Sequence, residues 1–392
     1  MKSSYLAILF STLVAYSQIS FAQTLKIVSS LPRTGSSNTM TGDVVNGIRL
    51  AIEERGGKAG KFSIVYEDWD DASPERGNWD PAIEASNADK AIQDKSVVAY
   101  IIYNSGATKI SQPKLNLAGV AQLGFATWPG LTKPGLGEPN EPSIYRTSGK
   151  PGYFRLVPAD DLQGSVAAKW AFNNGAKKAY AIHDKELYGK GLAGIFEKTA
   201  VSLGMQVLGN EGIDAKSSNY RSLATKIRAV NPDVIFIGAT TQSNSGQVVK
   251  DLRAVGIKAK IIGPDGCFEQ AFIDAIGKGS ATNDVYVTFG GLPADKLTGK
   301  GAEFVAKFKS KYNKIPEAYA SYGYETTLVI LDAIARANTE DRLKIREAIA
   351  STTNFEGLLG KWSFDQNGDT TQAIISINKI KDGKFEFLDQ IQ

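Results

Sequence analysis

The chain has 392 residues, one cysteine, one histidine and a formal net charge of +4. With 42% hydrophobic and 22% charged residues it has an ordinary globular composition, and so weak a charge gives no reason to expect a nucleic-acid partner. A lone Cys267 excludes an intramolecular disulfide, and His183 by itself leaves little scope for a zinc site or a nucleophile–histidine device.

The N-terminus reads as a signal peptide. Lys2 precedes the apolar run Tyr5 to Tyr16, which is too short to span a bilayer at ~20 residues. Ser20-Phe21-Ala22 then offers small residues at a cleavage site, so residues 1–22 are expected to be removed and Gln23 to start the mature chain in the periplasm. The alternative is an uncleaved anchor. No cysteine lies in this region to take a lipid, and no later stretch is apolar enough for a membrane span.

Strand and helix patterns alternate from there. Leu25–Ser29 reads as a strand, Thr34–Gly42 as a glycine- and serine-rich loop, and Val44 to Ile52 as a helix with apolar residues at about 3.6-residue spacing. Strands at Phe62–Tyr66, Val97–Tyr103 and Val120–Phe125 flank a helix at Ala82–Gln93. That βαβαβ order predicts a parallel sheet covered by helices on both faces. After a Gly/Pro-rich stretch, Pro129–Pro142, the plan restarts. Strands are expected at Ala179–His183, Gln206–Asn210, Val234–Gly238 and Lys260–Gly263. Helices are expected at Gly191–Leu203, Tyr220–Val230, Gly246–Val255, Gly301–Tyr312 and Tyr322–Arg336, with a β-hairpin around Asp365–Asp369. Two α/β units of similar plan predict two lobes with ligands bound beyond the carboxyl ends of their strands, in the cleft between them.

Few motifs carry chemistry. Gly189-Lys-Gly-Leu-Ala-Gly194 matches a dinucleotide-binding pattern, but it starts six residues after its strand, so a tight helix entry is the preferred reading and no cofactor is expected. Asp365-x-Asn367-x-Asp369 resembles the start of a calcium loop but has Thr370 and Ser376 where glycine and glutamate belong. No phosphate-binding loop or nucleophile elbow occurs, which argues against an enzyme.

The informative positions follow the strands. Ser105, Phe125, Ala126 and Thr127 offer hydroxyls and backbone amides suited to a carboxylate. Asp265 suits an ammonium, and tyrosines such as Tyr188 supply apolar walls with a polar tip. The competing reading makes Ser105 and Thr127 helix caps and Asp265 a turn residue.

Seven segments, in order, resemble the leucine/isoleucine/valine-binding protein family, the periplasmic receptors of branched-chain amino acid ABC transporters. They are residues 30–35 (SLPRTG), 104–107 (NSGA), 125–132 (FATWPGLT), 145–147 (YRT), 183–192 (HDKELYGKGL), 263–266 (GPDG) and 322–325 (YGYE). The resemblance spans the mature chain. It implies a type I periplasmic binding protein, α/β, with two Rossmann-like lobes joined by three crossovers and closing by hinge motion. Lobe 1 would comprise residues 23–146 and 291–355, and lobe 2 residues 147–290 and 356–392. It assigns Ser105 and Thr127 to the ligand carboxylate with amides near Phe125, Ala126 and Thr127. It assigns Tyr188 and Asp265 to the second lobe's grip, Asp265 on the ammonium, and Tyr319 to a side-chain contact from the first. Trp128 would border the site. Asp265 is shorter than the family's usual glutamate, Phe125 and Trp128 are bulkier than its usual alanines, and Thr240-Thr241 stands where some members have tyrosine.

The implied function is that of an extracytoplasmic binding protein, a monomer, delivering an amino acid to an inner-membrane ABC permease. A ligand-binding sensor for a membrane receptor, or a binder of amides, urea or aromatic acids, is the alternative. An exported enzyme is the third reading.

Overall fold

The computed structural model describes residues 23–35 and 38–391; the expected signal peptide and its cleavage point lie outside the described residues. Val97–Ile102 is a run of six apolar residues with every side chain buried, the pattern of a parallel strand covered on both faces. It sits centrally in a six-stranded sheet. From one edge the order is Lys58–Ala59, Phe62–Asp70, Thr24–Leu31, Val97–Ile102, Ala121–Gly124 and Tyr153–Arg155. All neighbours are parallel except the first pair.

Val234–Gly238, equally apolar and buried, does the same in the second sheet. There the order is Gln206–Gly212, Lys178–His183, Val234–Gly238, Lys260–Gly263 and Val285–Gly290, closed by the antiparallel hairpin Ile375–Lys381 and Lys384–Ile391. The tight turn Asp382-Gly383 has φ of 50° and 75°, the positive values that a two-residue hairpin loop requires.

Helices cover the faces. Asp80 caps Pro81–Gln93, accepting from Ala82 N–H at 2.8 Å, with proline at the first helical position. Arg221–Val230 ends where Asn231 turns left-handed, with Pro232 behind it, as its sequence predicts.

Several expectations need correction. Asn38–Gly42, read as loop, forms the start of helix Asn38–Glu54. Helices Ser105–Leu117, Asp160–Asn173 and Arg342–Ala350 and strand Val285–Gly290 were not anticipated. Only one antiparallel bridge, Phe364 to Thr370, closes the Asp365–Asp369 turn; the long hairpin lies after it. Tyr153–Arg155, which the family resemblance places in the second lobe, pairs with Ala121–Gly124 in the first sheet. Residues 355–369 also pack on the first unit: Trp362 donates to Glu325 at 2.9 Å, and Phe364 meets Phe154 at 5.4 Å between ring centres. Apolar burial and a buried ion pair hold both segments there.

Candidate ligand-binding cleft

The two sheets present their carboxyl ends to each other. From the first, Tyr103, Asn104 and Ser105 follow strand Val97–Ile102, and Phe125 and Thr127 follow Ala121–Gly124. From the second, Tyr188 opens helix Leu187–Ser202, Thr240 follows Val234–Gly238, and Asp265 and Gly266 follow Lys260–Gly263. With Tyr319, the first residue of helix Tyr319–Ala337, they enclose a cavity of about 270 Å³ including its mouth. Only about 20 Å³ of that is enclosed space open to a water-sized molecule, far below the ~300–1,000 Å³ usual for small-molecule sites, so a ligand is admitted only when the two units part. A wider groove between helix Gln270–Ile276 and the terminal hairpin is lined mostly by exposed side chains, without convergent buried polar groups.

Six of the seven expected residues line this cavity: Ser105, Phe125, Thr127, Tyr188, Asp265 and Tyr319. Ala126 does not. Its carbonyl faces the core, accepting from Tyr153 at 3.0 Å and Arg155 at 3.1 Å. Tyr103, Asn104, Thr240 and Gly266 also line it, though none of them was expected as a ligand contact. Their signal was position alone, immediately beyond a strand end.

Asp265 is the electrostatic centre. It is 4% exposed and accepts from the hydroxyls of Tyr188, on its own side, and Tyr319, from the facing unit. Burial raises its pKa, and the two phenols offset part of that. Asp160, also buried, is pushed well above the ordinary carboxylate range by burial and then by the charge of Asp265, with the Thr127 hydroxyl opposing. Burial, with Asp265 next, keeps Tyr188 and Tyr319 protonated and hence donors. Tyr319 is fixed by rings around it: Tyr103 at 5.6 Å and Phe289, across the cleft, at 5.5 Å, both edge-on.

At the hydroxyl end, Asn104 caps helix Ser105–Leu117, accepting from Gly106 at 2.7 Å and Ala107 at 3.2 Å. Ser105 is therefore the first helical residue, and its Oγ accepts from Trp128 N–H at 3.2 Å. A helix N-terminus beside two hydroxyls favours an anion. Neither lysine nor arginine lines the cavity.

Two of the three glycines in residues 189–194 serve packing. A Cβ at Gly189 would overlap the Gly238 carbonyl, one at Gly191 would overlap the Trp128 ring, and one at Gly194 would meet nothing. Asp369 of the calcium-like stretch is engaged by Arg155 at 2.8 Å. Cys267 is buried and His183 lies outside the cavity lining. Arg33 pairs with Asp68 at 2.9 Å. Among the described residues no group of three metal-ligating side chains occurs, and no helix is long and apolar enough to cross a membrane.

Buried acids give the molecule a pH dependence. Burial raises Glu84 and Glu269 to about 7 and Asp184 to about 6. Between the unfolded and folded values the native state holds protons that the unfolded chain has released. Stability is therefore expected to fall as pH rises from roughly 4.5 to 7. Chemical denaturation at stepped pH checks this; a midpoint that climbs over the same interval refutes it.

Facing α/β sheets around a polar cavity define a bilobal solute-binding protein. The chain belongs to the periplasmic binding protein family, whose model matches residues 24–384. Members are extracytoplasmic solute-binding proteins and not enzymes. The chain is 28% identical to Leu/Ile/Val-binding protein homolog 2 of Brucella abortus over 98% of its own length and 99% of that protein's. It is similar to the leucine-binding protein LivK of Thermotoga maritima, with a TM-score of 0.81 and 27% identity over 94% of this chain and 98% of that one. LivJ of Streptococcus pneumoniae, solved with isoleucine, shares the fold with a TM-score of 0.80 and 23% identity over 94% of this chain and 99% of that one.

Proposed function

We propose that the protein captures a small α-amino acid in this cavity and delivers it to an inner-membrane ABC permease. The observation that carries the reading is the polarity of the site. A buried carboxylate, Asp265, stands at one end, hydroxyls and a helix N-terminus stand at the other, and no cationic side chain lies between. A zwitterion matches both ends. Ser105 and Thr127 would take the carboxylate, and Asp265 the ammonium in place of a tyrosine hydroxyl. Phe125, Tyr103 and Tyr319 would wall the side chain. The names of the relatives agree with this class.

Capture would work by closure. Ser105, Thr127 and Tyr319 belong to one unit, and Tyr188 and Asp265 to the other. Only a ligand touching both favours the closed state, because a population shift needs differential affinity. We place the three hinge joins near residues 156–159, 291 and 371–374, and read the mature protein as a periplasmic monomer cleaved after Ala22.

A thermal-shift screen of ligand-stripped protein against amino acids, amides, urea and small aromatic acids tests the reading. An amino acid at 100 times its dissociation constant should add ~2.7 kcal/mol of stability. Hits confined to amides or plain acids would replace the ligand class. The sensor alternative predicts the same hits and is separated from transport by uptake assays in cells lacking the protein.

A further inference from the structure

Tyr188 reaches the cavity from the first turn of helix Leu187–Ser202, and the facing unit touches that turn on both sides of it. On one side, Arg76 at the tip of a small hairpin, Ala72–Ser73 with Asn78–Trp79, pairs with Glu186 at 3.1 Å. On the other, the Trp128 indole lies against the bare backbone of Gly191, where a Cβ would overlap the ring.

Trp128 does not hang freely in the mouth. Its indole N–H donates to Glu141 Oε2 at 2.8 Å. The Glu141 side chain is fully buried, accepts from Glu138 N–H at 2.8 Å and from the Tyr145 hydroxyl, and has the Lys109 ammonium at 3.3 Å. Burial pushes this carboxyl up, but Tyr145, Trp128 and the other donors outweigh it and hold it below its ordinary pKa. Gly130 and Gly137 make the room: a Cβ at either would overlap Oε2. The Trp128 backbone is tied too, its carbonyl accepting from Arg155 at 2.9 Å. A segment rich in glycine and proline thus aims one ring across the cleft.

We propose that Trp128, aimed by the positioning residue Glu141, is a closure contact whose seating on Gly191 contributes to ligand affinity and selects against ligands that hold the cleft ajar. The proposal rests on the capture reading above. The ring meets Gly191 only with the lobes together, so any ligand that keeps them apart forfeits the contact. Trp128 is half-buried at the rim of the cleft, and tryptophan is among the residues that most often carry a large share of an interface's affinity.

Three variants of the mature chain test it. With a saturating ligand from the thermal-shift screen bound, Gly191→Leu is expected to have a larger radius of gyration than wild type in small-angle X-ray scattering, because the new side chain keeps the ring from seating. It is also expected to weaken, at least about tenfold, each of the common L-α-amino acids that binds wild type in calorimetry. Trp128→Phe should remove most of the ligand-induced change in tryptophan emission, the other four tryptophans supplying the remainder. Glu141→Gln should diminish that change, whereas a merely structural Glu141 would lower the melting temperature and leave it intact. Equal ligand-bound radii for wild type and Gly191→Leu overturn the proposal, as does an emission change in Trp128→Phe as large as in wild type. Failure of wild type to bind any amino acid overturns the amino-acid reading alone, since the scattering comparison is then made with the amide, urea or aromatic acid that does bind.

Discussion

Asp265→Asn is expected to weaken α-amino acid binding by about 100-fold or more while leaving the empty protein at least as stable. The carboxylate is buried, and its present partners are two neutral phenols. An ammonium placed there forms a desolvated, charge-assisted pair, and truncating such a pair typically costs 2–5 kcal/mol. Asparagine keeps the shape and removes the charge. In the empty protein that change relieves the cost of burying an ion, so the melting temperature should hold or rise. Calorimetry and melting on one preparation measure both. Binding that persists within a few-fold of wild type would remove Asp265 from the ammonium site and favour an uncharged amide or plain acid.

The largest effect on stability is expected from Asp369→Ala. Arg155 is completely buried and meets Asp369 through Nε at 3.0 Å and Nη2 at 2.8 Å. The same guanidinium holds the carbonyls of Ala126 and Trp128 at 3.1 and 2.9 Å. Thr132 closes the network, donating to Asp369 at 2.9 Å. Removing the acid strands a buried cation, which costs about 3–5 kcal/mol, or roughly 4–6 °C in melting temperature for a chain of this size. Lys150→Ala breaks the exposed pair with Glu347 and serves as the control, expected within about 0.5 kcal/mol. If both variants melt alike, the network is not what fixes the loop bearing Thr127.

The Asp369 network also explains a misreading. In sequence, Asp365-x-Asn367-x-Asp369 is a polar turn with a faint likeness to a calcium loop. Its last aspartate is an anchor because a strand of three residues, Tyr153–Arg155, lies beside it. So short a strand, following a stretch rich in glycine and proline, has no periodicity to reveal its sheet. Helix Asp160–Asn173 went unanticipated for a different reason. It is buried over most of its surface, so its alanines and Trp170 show no single apolar stripe. The terminal hairpin was legible at Asp382-Gly383, a strong two-residue turn signal that the earlier polar turn obscured.

By itself the sequence determined what local chemistry dictates. Continuous apolar runs as short and β-branched as Val97–Ile102 and Val234–Gly238 read as buried strands, and their alternation with helices points to parallel sheets with sites at the carboxyl ends. Hence Ser105, Thr127, Tyr188 and Asp265 could be singled out from the loops they occupy. The tertiary structure alone decided which of them meet and in what environment. Residues 105, 188, 265 and 319 are far apart in the chain, and only chain closure brings their loops to one cavity. Burial then changes their character, raising the pKa of Asp265 and making Tyr319 its partner from the opposite side. The aim of Trp128 at Gly191 likewise depends on a carboxylate thirteen residues away that folding encloses. Such effects are long-range and dielectric, and a one-dimensional pattern does not encode them.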